Sequence, residues 1–357
     1  AMESMNWSAQ QGDILTGGGR IEKLYNAPVF AWTEDQLPHY HKLQGNTHEI
    51  FAKWKAEGKT SNLVAGAWSR PLFVGGWQHT GDHTESVFNV QTPSLFIDLR
   101  IPLLPGIDLA KKGSMSQLSD EELRLLARRH CFSGYSLLND GPWSVENPPV
   151  CTRHHCMDWN FTGKKRPRPN KWRIDMHPEG KVWKEWGWAK DEYGQHVYME
   201  RWDRLPGGSG PFLALRRAKK HGRDAVLLVA GKHFNYCEDR VTPMPLDPQH
   251  ANYPGLQALV DDLIAKGQRQ TVMDYLSLNG CHGLVSACGG GAPWTIDAAL
   301  HPWLVGTRLL SAAEVEVHAS GRIVTLKGEE WEVVEDSFGV DGMRALFGSS
   351  PYGRSSL

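Results

Sequence analysis

Residues 89–102, NVQTPSLFIDLRIP, decide how this chain is read. Leu95, Ile97, Leu99 and Ile101 are apolar, while Asp98 and Arg100 carry charge on the alternate positions, with Phe96 beside them and Gln91 just upstream. Period-two alternation of this kind predicts a β-strand. The fold turns on which face points inward. With the apolar face inside, Asp98 and Arg100 are solvated. With the polar face inside, they are buried charges that need partners and invite a ligand.

The same texture runs through much of the chain. Short candidate strands follow one another from 63 to about 239, punctuated by turn sequences such as HPEGK (177–181) and LPGGSGP (205–211). No βαβ rhythm is present. The expectation is a mainly β protein: an antiparallel barrel of about ten strands with peripheral helices, since a barrel closes its own edges and can hold one small ligand. Residues 1–62 read as a partly helical N-terminal extension, 63–340 as the barrel domain, and 341–357 as a tail. Helical insertions are expected near 119–131, where Ser119 and Glu122 form a capping box, and near 253–279, where Leu256, Leu259, Val260, Leu263 and Ile264 make a 3.6-residue stripe.

The bulk numbers bound the function. Lys plus Arg total 39 against 40 Asp plus Glu, so no global charge argues for nucleic acid or an anionic membrane. No apolar run approaches the ~20 residues of a membrane span, and the polar, Gly-rich stretch up to Ile21 does not read as a signal peptide. A cytoplasmic protein is the expectation. Six cysteines in 357 residues are too sparse for a disulfide scaffold. Fifteen tryptophans fit an aromatic-walled cavity or a densely packed β core equally well.

Two further strands repeat the question of orientation. In HVYMERWDRL (196–205), Tyr198, Glu200, Trp202 and Arg204 share a face. In AGKHFNYCEDR (230–240), Phe234, Tyr236, Glu238 and Arg240 do so. Aromatics mixed with Arg and Glu suit a cavity for a polar-headed organic molecule, or a structural ion-pair network across strands. VQTPSLFIDLRIP, YMERWDRL and GKHFNYCEDR, in that order, resemble a family of largely uncharacterised lipocalin-like (calycin-type) β-barrel proteins; the strands around FVGGWQ and CTRHHCMDW also fit, and the likeness spans about residues 66–240. The resemblance implies a barrel with Gln91, Asp98, Arg100, Tyr198, Glu200 and Trp202 facing its lumen, and it implies no reaction. The chain departs from the family pattern at His154, which is followed by His155 rather than Arg.

CTRHHCMDW (151–159) offers either metal ligands, Cys151, His154 and Cys156 with Asp158, or a His–Asp pair inside the barrel. On an unbroken strand His154, Cys156 and Asp158 point one way and His155 the other. His39, His41, His48, His79 and His83 make the N-terminal third His-rich, and GKKRPRPNKWR (163–173) is a basic run that reads as a solvated hairpin tip. No phosphate loop, dinucleotide fingerprint, nucleophile elbow or HExxH motif is present, so no cofactor is expected.

The leading expectation is a barrel that binds one small organic, largely apolar ligand with a polar head. Trp77, Trp202, Phe234 and Tyr236 are its expected walls; Gln91, Asp98, Arg100 and Tyr198 are expected to meet the ligand. If the protein is an enzyme, His154, Asp158 and Glu200 are the expected acid–base groups of a cofactor-free isomerase, cyclase or lyase. A non-catalytic carrier or sensor needs the same cavity without a positioned acid–base pair. A structural or partner-binding protein would have a packed barrel and no ligand.

Overall fold

The break in the 89–102 stretch falls at Thr92–Pro93–Ser94, where the Thr92 amide donates to the Leu95 carbonyl at 2.9 Å. One long strand is expected from the sequence over 86–101, but a hairpin forms instead: β2 (Glu85–Gln91) and β3 (Leu95–Pro102). Proline lacks an N–H for the ladder and fits the turn. A computed structural model of the chain describes residues 63–75, 85–138, 143, 149–163, 170–186, 198–217, 222–245, 249–286 and 292–348.

Around this hairpin, β1 (Gly66–Gly75), β4 (His130–Leu138), β5 (Val150–Asp158), β6 (Asn170–Met176), β7 (Val182–Trp186) and β8 (Tyr198–Arg204) complete a closed antiparallel barrel in which each strand pairs with the next and β8 returns to β1. The barrel therefore has eight strands and ends at Arg204, where about ten strands over a longer stretch are expected from the sequence.

The next residues form a second antiparallel sheet. Its strands are β9 (Phe212–Arg217), β10 (Ala225–Ala230), β11 (His233–Glu238), β12 (Asn279–Leu284), β13 (Thr295–Ala299), β14 (Val315–Val317), β15 (Ile323–Leu326) and β16 (Glu329–Asp336). They lie in the order β13-β12-β11-β10-β9-β16-β15-β14. Helix α1 (Asp120–Ala127) follows its capping box at Ser119 and Glu122, as its sequence predicts. The 253–279 insertion forms α2 (Leu256–Ala265) and α3 (Arg269–Tyr275), and α4 (Gly339–Phe347) lies against β14 and stacks Phe347 on Trp294. Among the described residues no helix is long and apolar enough to cross a membrane.

The contact between barrel and sheet explains the opening pattern. Leu95, Ile97 and Leu99 point out of the barrel, but they meet Ala214, Val226, Leu228, Ala230 and Cys237 of the second sheet, together with α1 to α3, in one apolar cluster. Both faces of β3 are thus buried. The odd positions face a protein core outside the barrel, which leaves Phe96, Asp98 and Arg100 to the lumen. β10, AVLLVA, is apolar on both faces for the matching reason: it lies between this cluster and the inner core of its own sheet.

Polar clamps align the two sheets. Asn235 Nδ2 donates to the Phe88 and Ile97 carbonyls at 3.1 and 2.9 Å, and its Oδ1 accepts from His282 Nδ1 at 2.7 Å. His282 is buried and stacked between Phe88 and His233; burial pushes its pKa down to about 3, so the imidazole is neutral. Glu335 accepts from the Thr92 and Ser94 hydroxyls at the hairpin turn. Replacing Asn235 with leucine strips partners from His282 and from two buried carbonyls, and is expected to lower unfolding stability by about 2–3 kcal/mol. Urea unfolding checks this; a loss below about 0.5 kcal/mol would show that the clamp is idle.

Candidate functional site in the barrel lumen

Strand register sorts the lumenal side chains along the barrel axis. Towards the end where β1 begins and β8 finishes, Trp68, Trp183 and Trp202 are fully buried. Trp183 stacks on Trp202 at 5.5 Å between ring centres and meets Trp68 edge-on at 5.9 Å. Val87, Leu138, Cys151 and Ile174 pack with them, and the Arg204 guanidinium lies 4.0 Å over the Trp68 ring. Towards the other end lies a layer of charge.

Glu200 is at the centre of that layer and is wholly buried. Its Oε1 accepts from Arg70 Nη1 at 2.6 Å and lies 3.5 Å from Arg100 Nη1. Arg70 also reaches Glu85 at 2.9 Å. Arg100 forks onto Asp98, with Nε to Oδ1 at 2.8 Å and Nη2 to Oδ2 at 3.3 Å, and Asn89 Nδ2 donates to the same carboxylate at 3.2 Å. Asp98, Arg100 and Glu200 are therefore joined in one lumenal network. Arg100 is already matched by two carboxylates, so its charge is not open to an anionic ligand.

A second pair, absent from the sequence-based list, stands beside the first. Arg153 on β5 lies 4.9 Å over the Phe96 ring and 3.6 Å from Glu185 on β7. Glu185 is the cross-strand neighbour of Glu200. Burial pushes the Glu185 carboxyl up to about 8; the nearby Arg153 charge opposes the shift and the Glu200 charge adds to it. At neutral pH Glu185 is then largely protonated.

His154 and Asp158 do not form the pair that strand alternation predicts. The β4–β5 register shifts between Ser133 and Gly134: Ser133 pairs with Met157, but Gly134 pairs with His155, leaving Cys156 as an extra residue. A β-bulge reverses the facing of residues on one side of it. His155, not His154, therefore donates to Asp158, from Nδ1 to Oδ2 at 2.8 Å, and it stacks on Phe132 at 4.7 Å. The bulge needs a glycine at 134: a Cβ there would stand 1.8 Å from the His154 carbonyl oxygen. Gly134→Ala is expected to cost about 2 kcal/mol of stability and to disturb the His155–Asp158 contact, seen as a shift in the histidine ring NMR signals. A stability and spectrum matching the parent would contradict the bulge.

The other sequence-derived candidates are scattered. Gln91 faces the lumen, its Oε1 accepting from Ser136 at 3.1 Å. Phe234 and Tyr236 sit on β11 and face the core of the second sheet, so they are not lumenal walls. Trp77 lies outside the described residues, as do the His39–His83 group, most of the basic run and the Tyr198 side chain. Cys151 faces the lumen, 3.1 Å from Ser136 Oγ, whereas Cys156 packs in the apolar cluster outside the barrel, so the two do not converge. Among the described residues no group of three or more His, Cys, Asp or Glu is placed to hold a metal ion, and Cys131, Cys151, Cys156, Cys237 and Cys281 are free thiols.

Arg153 and Glu185 are not among the candidates that the sequence singles out, although their signal exists. VWKEW (182–186) alternates Trp183 and Glu185 on one face, and Cys151, Arg153 and His155 alternate on β5. The lumen also holds polar atoms with no hydrogen-bond partner among the described residues: Asn89 Oδ1, Gln91 Nε2, Arg153 Nε and Nη2, Glu185 Oε2, Trp183 Nε1 and Trp202 Nε1.

No family model matches the chain, and no curated protein matches it. Among solved structures it is similar to an uncharacterized protein of Saccharomyces cerevisiae, with 15% identity over 76% of this chain and 98% of that one and a TM-score of 0.44. A likeness of that degree carries no conclusion about architecture or activity.

Proposed function

We propose that the barrel lumen binds a small, uncharged organic molecule with a carbonyl or hydroxyl head, in the manner of a lipocalin-like barrel. The observation that supports this reading is the set of buried polar atoms with no hydrogen-bond partner among the described residues on β2, β5, β7 and β8 of the barrel, at Asn89, Gln91, Arg153, Glu185, Trp183 and Trp202. Each such atom costs about 1–3 kcal/mol unless something bonds to it. A neutral ligand fits because Arg70 and Arg100 are already matched by Glu85, Asp98 and Glu200. Arg153, braced on Phe96, is the donor for the head, and the tryptophan cluster is the apolar floor for the body.

The same geometry supports cofactor-free proton transfer. Glu185, its carboxyl pushed up by burial, stands beside Glu200, which is bound by two guanidiniums, and two such neighbouring carboxyls can take acid and base roles. His155 with Asp158 is the second pair able to move a proton. A carrier would use the same lumen without turnover.

Native mass spectrometry of freshly purified protein tests the reading, in parallel with Arg153→Met. The expected result is a co-purifying neutral organic mass in the parent, lost or reduced at least about tenfold in the variant, while melting changes little because Glu185 is left neutral. An empty parent protein, or a variant that melts far lower with no change in bound mass, would make Arg153–Glu185 a structural pair. Glu185→Gln separates the two classes: an enzyme loses turnover and keeps its ligand, whereas a carrier shows no turnover in either form.

A further inference from the structure

The second sheet has a cavity of its own, open to solvent on one side and holding about 320 Å³, within the ~300–1,000 Å³ range of ligand pockets. Leu227, Leu309, Leu310 and Leu326 line it together with the rings of Tyr236 and Trp331, whose centres stand 6.2 Å apart. Its charged lining is Arg217, Glu238, Glu329 and Lys327. The first three are already matched. Arg217 lies 2.7 Å from Glu238 and 2.8 Å from Glu329, and Arg223 meets Glu238 at 3.0 Å. Lys327 is exposed and makes no ion pair among the described residues. Its amide bonds the Glu314 carbonyl, but the Glu314 carboxylate is taken by the amide and hydroxyl of Ser311, at 2.7 and 2.9 Å. Against the two carboxylates, Arg217, Arg223 and Lys327 leave the rim of the cavity with one unmatched positive charge.

The fold does not ask for a lysine at this position. Leu326, Lys327, Gly328 and Glu329 form the tight turn between β15 and β16, with φ at 52° for Lys327 and 81° for Gly328. Positive φ at both central residues makes a type I′ turn, in which asparagine or glycine is the favoured first residue and a lysine is strained. The turn nevertheless holds the ammonium at the cavity. Burial pushes the Cys281 thiol well up, and the Lys327 charge opposes that shift from across the inner wall, where Cys281 is the cross-strand neighbour of Tyr236. An apolar cavity with one unmatched cation at its rim selects an amphipathic anion. We infer that this cavity is a binding site for a small monocarboxylate with an apolar body. The carboxylate meets Lys327 Nζ at the rim, and the body lies against the leucines, Tyr236 and Trp331. A neutral molecule of the same shape forgoes the head contact, and a cation is repelled. The site shares no residue with the barrel lumen.

Octanoate is the probe, with octan-1-ol and octylammonium as controls of equal chain length. Each is titrated into the full chain at pH 7 and followed by ligand-observed saturation-transfer NMR. The expected result is saturable octanoate binding with Kd below about 1 mM, with octan-1-ol at least about threefold weaker and octylammonium at least about tenfold weaker. Lys327→Asn removes the charge and gives the turn its favoured residue. It is expected to melt no lower than the parent and to bind octanoate about three- to tenfold more weakly. Leu309→Trp, at a half-buried position, fills the cavity and is expected to weaken binding at least about tenfold. Arg153→Met, which alters only the barrel lumen, is expected to leave octanoate binding unchanged. The assignment is overturned by the absence of saturable octanoate binding, or by either control binding as tightly. Full affinity in Lys327→Asn or in Leu309→Trp overturns it as well, and so does a Lys327→Asn protein that melts well below the parent, since the lysine would then serve the turn. Loss of octanoate binding in Arg153→Met would put the probe in the lumen and likewise end the case for this cavity.

Discussion

Glu200→Leu is expected to lower the unfolding free energy by about 3–5 kcal/mol, the loss seen when one partner of a buried ion pair is removed. Glu200 is fully buried and neutralises two guanidiniums, Arg70 at 2.6 Å and Arg100 at 3.5 Å. Leucine there leaves both cations beside an apolar side chain. Each retains one carboxylate, Glu85 for Arg70 and Asp98 for Arg100, which keeps the effect below complete unfolding. The informative comparison is Glu185→Leu on the neighbouring strand. At pH 5, where the titration of Glu185 adds little, its replacement strands only Arg153, and the expected loss is roughly half as large. Chemical denaturation of both variants at pH 5 decides the matter. Equal losses would mean that the two carboxyls are equivalent, and would remove the basis for separate acid and base roles.

The second expectation concerns pH. Burial raises the Glu185 carboxyl from 4.5 to about 8. The folded state then holds its proton more tightly than the unfolded state, so the stabilising contribution is complete below the unfolded pKa and is lost as pH rises through the folded one. The window runs from about pH 4.5 to about pH 8. Glu185→Gln keeps the shape and removes the titration. Parent and variant are expected to be about equally stable at pH 5, and the variant more stable by on the order of 4 kcal/mol at pH 8.5. Urea unfolding of both proteins at the two pH values reads the difference directly. His130 and His282 titrate in the opposite sense: burial pushes them down to about 4 and about 3, so their contribution is lost as pH falls below 6.5. Both proteins carry those histidines, so the comparison cancels them. A stability difference that does not change between the two pH values would place Glu185 among ionised carboxylates.

Much of the local structure is legible in the residues. Ser119 with Glu122 marks the start of α1, the stripe from Leu256 to Ile264 marks α2, and the short alternating runs mark strands. Gln91, Asp98, Arg100, Glu200 and Trp202 fall on lumenal positions because alternation groups side chains by face, and grouping needs only local geometry. His154 illustrates the limit. Its facing depends on one extra residue, Cys156, inserted opposite β4, and that insertion is a property of the pairing between two strands rather than of either alone. Phe234 and Tyr236 illustrate another: their strand pattern matches that of a barrel wall, yet β11 pairs with β10 and β12 in a different sheet.

The amino-acid sequence by itself determined that the chain is mainly antiparallel β, where its helices lie, and that charged residues share strand faces with aromatics. It did so because periodicity and capping are local. Only the tertiary structure decided which face is inner. Leu95, Ile97 and Leu99 are as apolar as the core-facing side of any strand, and they are indeed buried, but against a second sheet outside the barrel. With that surface covered, Asp98, Arg100, Arg153, Glu185 and Glu200 are left to meet one another in the lumen. Burial is set by what packs on each side of a strand, and here the covering strands come more than a hundred residues later in the chain.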